Sequence, residues 1–211
     1  MTPQVHFDAG ASPAFWPEGS SAWRDGPSLV LTYGPGELIY AQGDPVHSLY
    51  GVVTGAVRTV RHSSDGRRQV GDFYYPGDLF GLEVGDEHAF SAEAMCPAEI
   101  RACRRSSAAH DTATETAALR ELARAHDHLA MLGRSAEEKV ARFLLDLAQH
   151  GPADLAVLPM SRQDMADYLG LAPETVSRVL GRFQTEGLVA FTSCRDFRII
   201  GRAALRRLAA L

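Results

Sequence analysis

Between Ser161 and Gly187 the order of start and stop signals leaves the backbone few choices. Ser161, with Asp164 three residues on, is a pair that caps a helix N-terminus, and it predicts a helix over Arg162–Leu169. Gly170 follows, the residue type that most readily takes the left-handed conformation ending a helix. Only Leu171 and Ala172 separate it from Pro173, which suits the first position of a new helix because no amide donor is needed there. That second helix runs to about Glu186, and Gly187 closes it. Each helix has an apolar face: Met165, Ala166 and Leu169 in the first, and Val176, Val179, Leu180 and Phe183 in the second. Two helices joined by so short a turn form a helix-turn-helix. Leu188–Phe191 and Phe197–Ile200, separated by Thr192–Asp196, predict a β-hairpin wing after it.

The outward face of the second helix carries Glu174, Ser177 and Arg178 at its N-terminal end. In a helix-turn-helix those positions reach base edges in the major groove. A carboxylate accepts from a cytosine amino group, and arginine bonds guanine bidentately. Glu174 has a second reading, compensation of the helix dipole. A glutamate also repels phosphates, so a surface built only for nonspecific DNA binding avoids it. Arg182, one turn beyond Arg178, suits a phosphate, with Ser161 and Thr175 as further backbone candidates. Arg195, at the wing tip, reads equally as a phosphate contact or a solvated charge. Cys194 beside it reads either as an exposed thiol with added thiolate character, hence a redox candidate, or as an inert small residue.

The charge distribution agrees with a polyanion partner at one end. From Ser161 to Leu211 there are eight arginines against five acids, a net +3 in a chain whose total is −5, so the first 160 residues carry −8.

The preceding chain divides by character into an arm, a β-rich region and a helical region. Residues 1–28 are rich in Pro, Ser, Gly and Ala without a sustained period, and read as a loosely ordered arm that Phe15, Trp16 and Trp23 dock on the body. In residues 29–112 short apolar runs alternate with turn signals: Ser28–Tyr33, Leu38–Tyr40, Leu49–Val53, Val57–Arg61 and Val70–Tyr74. That spacing predicts a small antiparallel barrel or roll. Residues 113–134 begin a helical region. Leu119, Leu122, His126, Leu129, Gly133, Ala136, Val140, Phe143 and Leu147 are spaced alternately three and four apart, a heptad seam. Such a seam packs against its own barrel or against a twin helix. Its length favours the twin, so Leu119, Leu122, His126, Leu129 and Leu132 are the dimerisation candidates. Ser135 with Glu138 is a capping box, which starts a helix rather than continuing one. A break is therefore expected near Gly133-Arg134-Ser135, with a second helix to about His150 opening a DNA-binding region over 135–211. Gly151-Pro152 stops it.

Several classes are disfavoured. There is no phosphate-cradling Gly-Lys-Ser/Thr loop, no His-Glu-x-x-His zinc pair and no nucleophile elbow, so no enzyme activity and no metal are expected. No apolar run approaches the roughly 20 residues of a membrane span, and the N-terminus lacks a signal-peptide pattern. Cys96, Cys103 and Cys194 are too few for a disulfide framework, which points to the cytoplasm and reduced thiols.

The run from Leu158 to Gln184, LPMSRQDMADYLGLAPETVSRVLGRFQ, resembles the FNR and FixK branch of the CRP/FNR family of bacterial regulators. Gly34-Pro-Gly-Glu37 and Pro76-Gly-Asp-Leu-Phe80 extend the resemblance over nearly the whole chain. It implies an α+β chain with an N-terminal cyclic-nucleotide-binding-type β-roll, a long dimerisation helix and a C-terminal winged helix-turn-helix. It also implies a homodimer on a palindromic operator like TTGAT-N4-ATCAA, with RNA polymerase as a further partner.

The departures from the family bear on the signal. Members that bind cyclic AMP carry an arginine followed by a small hydroxyl residue in the roll's phosphate pocket. The aligned region here is Ala89-Phe90-Ser91-Ala92-Glu93, where Phe90 replaces the arginine and Glu93 adds repulsion. An FNR-type iron–sulfur cluster takes four thiolates, and this chain has three cysteines, none before Cys96. A haem needs an axial ligand, for which His47, His62, His88 and His126 are the candidates considered; His126 in the seam also reads as a polar register device. The resemblance thus implies a FixK-like, effector-free regulator with no cofactor, the alternative being the same output gated by a small ligand or haem in the roll. FixK-group members that sense oxidation carry a cysteine beside the motif's first helix; Ser161 aligns there, leaving Cys194 as the substitute.

Overall fold

The computed structural model describes residues 28–104, 112–131, 133–150 and 156–209. They fall into two compact units, Met1–Ala125 and His126–Leu211. Phe15, Trp16 and Trp23, the dimer candidate Leu132 and the stop at Gly151-Pro152 lie outside the described residues.

The first unit is built on eight strands: β1 (Ser28–Tyr33), β2 (Leu38–Tyr40), β3 (Ser48–Thr54), β4 (Val57–His62), β5 (Arg68–Tyr74), β6 (Leu79–Phe80), β7 (Ser91–Ala94) and β8 (Ala98–Arg104). They form two four-stranded sheets, β1-β8-β3-β6 and β2-β7-β4-β5. β1 and β8, the first and last strands, pair antiparallel from Ser28↔Cys103 to Tyr33↔Ala98, which closes the roll. Residues of alternating orientation supply the core. Val52, Phe80, Ala98 and Ile100 come from the first sheet, and Tyr40, Val57, Tyr74, Ala92 and Ala94 from the second. The turn from β3 to β4 requires glycine twice over. Gly55 has φ +84°, and a Cβ there would stand 2.5 Å from the Pro97 carbonyl oxygen.

The five apolar runs of the sequence are β1 to β5; β6, β7 and β8 have no counterpart among them. The inward residues of β7 are Ala92 and Ala94, too small to stand out as an apolar run. β8 does carry a signal, with Ala98 and Ile100 buried on either side of exposed Glu99.

A helix, α1 (Thr112–Met131), follows. In the first unit Ala117, Glu121 and Arg124, spaced at helical intervals, form the face of α1 that docks on the roll. Ala117 is buried. Glu121 Oε1 accepts from the Tyr74 hydroxyl at 2.9 Å. Arg124 donates to the Phe73 carbonyl at 2.9 Å and pairs with Asp78 at 2.6 Å and Asp72 at 3.4 Å.

The second unit holds α2 (Ala136–Leu147), β9 (Ala156–Val157), α3 (Arg162–Leu169), α4 (Pro173–Thr185), β10 (Val189–Phe191), β11 (Asp196–Ile199) and α5 (Arg202–Leu208). The capping box at the head of α2 forms as expected. Ser135 Oγ accepts from the Glu138 amide at 3.3 Å, and Glu138 Oε2 accepts from the Ser135 amide at 2.8 Å. The core joins Val140 and Leu144 of α2 to Met165, Val176, Leu180, Phe183, Phe197 and Leu205. Each such fully buried aliphatic side chain stabilises by about 1.5–3 kcal/mol relative to exposure. β9 pairs with β11, so the wing is a three-stranded sheet, β10-β11-β9, rather than the two-stranded hairpin read from the sequence. α5 was not read from the sequence either; its one fully buried leucine, Leu205, gives too short a pattern.

Candidate nucleic-acid interface

The helix pair between Ser161 and Gly187 has the geometry its punctuation dictates. Ser161 caps α3: its Oγ accepts from the Asp164 amide at 3.0 Å and donates to Asp164 Oδ2 at 2.8 Å. Gly170, at φ +61°, ends the helix in the left-handed region. Pro173 opens α4, whose N-cap residue, Ala172, supplies no side-chain hydrogen bond. Gly187 follows α4 at φ +68°.

On α4, Val176, Val179, Leu180 and Phe183 are buried, while Glu174, Ser177 and Arg178 are exposed together on the opposite side, at i, i+3 and i+4. Thr175 is half-buried, and its Oγ1 accepts from Arg178 Nη2 at 3.5 Å, so the guanidinium lies along the first turn. Glu174 stands in that same turn, where a carboxylate also favours the helix dipole.

The backbone candidates have different surroundings. The Ser161 hydroxyl is engaged in its cap. Arg182 pairs with Glu137 of α2 and, at 3.3 Å, with Glu186 of its own helix. The hydrogen bond from Arg182 holds the Glu137 carboxyl below its usual range. Arg195 is exposed in the turn between β10 and β11. Ser193 shapes that turn, its Oγ donating to Asp196 Oδ2 at 2.7 Å and accepting from the Arg195 amide at 3.1 Å. Cys194 is exposed in the same turn.

Arg162, Arg198 and Lys139 of this unit were not among the site residues read from the sequence. Arg162 lies 5.1 Å over the Phe191 ring, joining the start of α3 to the wing. Arg198 is exposed on β11. Lys139 is buried in α2 and donates to the Leu169 carbonyl at 3.0 Å. Arg162 and Arg198 entered the sequence reading only through the count of eight arginines and the start of the first helix, and Lys139 only as a charged residue one place before the seam residue Val140.

The helix-turn-helix stands within residues 138–208, which match the model of the Crp-like helix-turn-helix domain, and residues 30–110 match that of the cyclic nucleotide-binding domain. The chain is 47% identical over 186 residues to the nitrogen fixation regulation protein FixK of Rhizobium meliloti, spanning 87% of this chain and 88% of that one. The chain belongs to the CRP/FNR family of transcription regulators, in its FixK-like branch. Another relative in the family is the transcriptional activator protein anr of Pseudomonas aeruginosa, 32% identical over 171 residues, 74% of this chain and 70% of that one. The structure of FixK2 from Bradyrhizobium japonicum superposes with a TM-score of 0.82 at 41% identity, covering 88% of this chain and 98% of that one.

The roll, which matches the cyclic nucleotide-binding domain, holds the residues Ala89–Glu93 singled out in the sequence. Here the Phe90 ring lies against Gly71, where a Cβ would stand 2.8 Å from it, and Arg61 lies 5.1 Å over the ring. Ser91 Oγ accepts from the Gln42 amide at 2.9 Å. Glu93 is not the free repulsive carboxylate the sequence suggested: Arg58 binds it through Nε at 3.0 Å and Nη2 at 2.8 Å. Register places the two residues opposite each other on β4 and β7, a pairing across 35 residues that no local pattern reveals. Among the histidines, His47, His62 and His126 are exposed. His88 is buried, stacked on Tyr40 with ring centroids 3.7 Å apart, and burial pushes its imidazole down from the ordinary range. Among the described residues no group of three or more His, Cys, Asp or Glu side chains is placed to hold a metal ion, and no helix is long and apolar enough to cross a membrane.

On α1 the dimerisation candidates Leu119, Leu122 and Leu129 are 67%, 53% and 61% exposed. Leu119 and Leu122 lie off the face of α1 that carries Ala117, Glu121 and Arg124.

Proposed function

We propose that this regulator is a sequence-specific activator that binds a palindromic operator like TTGAT-N4-ATCAA as a homodimer, needs neither cyclic nucleotide nor iron–sulfur cluster, and works with RNA polymerase in the cytoplasm. The observation that carries the reading is the exposed trio Glu174, Ser177 and Arg178 at the N-terminal end of α4, on a helix whose other side is buried. Arg178 is suited to guanine, Glu174 to a cytosine amino group, and Ser177 to either neighbour. Ser161, Thr175, Arg182 and Arg195 are the backbone contacts, Arg182 by exchanging Glu137 for a phosphate. The apolar stripe of Leu119, Leu122 and Leu129, extended by His126 and Leu132, supports a twin helix as its cover, and a two-fold dimer suits two half-sites one helical turn apart. In this reading residues 1–28 are an arm, 29–112 the sensor-type roll, 113–134 the dimer helix and 135–211 the DNA-binding domain. Independence from cyclic nucleotide is supported by Phe90 packed on Gly71 and by the Arg58–Glu93 pair.

The test is fluorescence anisotropy of the purified protein on a TTGAT-N4-ATCAA duplex and a scrambled one, without added ligand, with and without thiol oxidant, at stated salt. Tight operator-selective binding is expected. Arg178→Ala should cost about 1–3 kcal/mol on the operator and flatten the preference over the scrambled duplex. Loss of binding on oxidation would implicate Cys194 or another thiol. Weak, unselective binding by the wild type would instead favour a regulator gated by a ligand in the roll.

A further inference from the structure

Lys139 is only 6% exposed, and its ammonium donates to the carbonyl oxygen of Leu169 at 3.0 Å. Burying an ammonium is costly unless it finds partners. The acceptor is one of the carbonyls that the end of α3 leaves without an intrahelical donor, at the negative pole of that helix. Leu169 immediately precedes Gly170, where the chain leaves α3, and Pro173 begins α4 three residues later. The cation therefore holds the backbone at the point where one helix of the motif gives way to the other.

Backbone bonds close that turn, the Gly170 and Leu171 amides both donating to the Ala166 carbonyl, but no side chain of the turn itself fastens it to α4. Ala172 gives α4 no side-chain cap, unlike Ser161 at the head of α3 and Ser135 at the head of α2. A second contact from the same turn of α2 reaches α4 directly, through Glu137 and Arg182. In the free protein the first turn of α2 thus grips the end of α3 with a buried cation and the body of α4 with an exposed pair, of which the buried cation stays in place when Arg182 turns to a phosphate.

We propose that Lys139 is a positioning residue for base readout: by fixing the Leu169 carbonyl it sets the angle at which α4 presents Glu174, Ser177 and Arg178. The proposal rests on the DNA-reading role of that trio. The Lys139 ammonium is buried against the Leu169 carbonyl, so its removal takes no exposed charge from the surface offered to phosphates while loosening the frame that base contacts require.

The experiment compares full-length Lys139→Met, which keeps the apolar stem and loses the donor, with Lys139→Arg, which keeps a cationic donor. Both are measured beside the wild type on the operator and scrambled duplexes, with far-UV circular dichroism to show folding. Lys139→Met should lose about tenfold of the operator-to-scrambled ratio, the scale of one base contact, with little change on scrambled DNA. Lys139→Arg should recover most of that ratio. A folded Lys139→Met with an unchanged ratio, or a folded Lys139→Arg as impaired as the methionine variant, overturns the proposal. If Lys139→Met does not fold, Lys139→Gln is read in the same way. Failure of both to fold assigns Lys139 to stability alone and overturns it too. A wild type that does not distinguish the duplexes removes the DNA-reading assignment and this proposal together, whereas a selective wild type with a selective Lys139→Met removes this proposal only.

Discussion

The heptad seam meets two different environments on either side of Gly133. Before it, Leu119, Leu122 and Leu129 stand exposed on α1. After it, Val140, Phe143 and Leu147 continue the same spacing on α2 and are buried in the second unit. One period in the sequence thus serves two purposes. Periodicity states that a helix has an apolar side; what covers that side depends on which elements the rest of the chain brings to it. The capping box at Ser135 is the device that separates the two uses, because it starts a new helix at Ala136.

The largest effect that would break this comparison is at the buried end. Val140→Asp places a carboxylate at a site with 0% exposure and should cost about 4 kcal/mol or more, seen as a collapse of the urea midpoint of the second unit. A midpoint close to that of the wild type would mean the second half of the seam is not core. The same chemistry at the exposed end should act on assembly instead. Leu122→Asp combined with Leu129→Asp should leave the circular dichroism spectrum intact and give monomers on sedimentation; a persistent dimer would place the interface elsewhere. Ser135→Ala removes the cap between the halves and should cost about 1 kcal/mol in the urea-derived stability. No loss there would show that packing alone sets the break.

The smallest effect concerns the docked side of α1. Burial first, then the neighbouring Asp72, hold the Glu121 carboxyl above the usual glutamate range. The folded state therefore binds that proton more tightly than the unfolded state, so this contribution to stability is present at low pH and is lost as pH rises from the ordinary glutamate range through the raised value. Glu121→Gln should make urea midpoints fall less steeply as pH rises above the ordinary glutamate range; an unaltered slope would show that Glu121 does not carry this pH dependence.

Much of the candidate site was legible because its signals are short-range. Ser161 and Asp164, Gly170, Pro173 and Gly187 each act within one turn of backbone, so the bounds of α3 and α4 and the exposed trio on α4 followed from them. The roll was less legible. Its alanine-lined strand β7 offers little contrast between faces, and β6 has two residues.

The sequence by itself determined where the helices of the motif start and stop, where the heptad seam is interrupted and which side chains α4 turns outward. Caps, glycines, prolines and periodicity are local physics. Only the tertiary structure decided that Arg58 neutralises Glu93, that Glu137 holds Arg182, and that Lys139 reaches the Leu169 carbonyl 30 residues away. Each of those pairings joins separate elements, and a charge has no preferred partner until folding places one beside it.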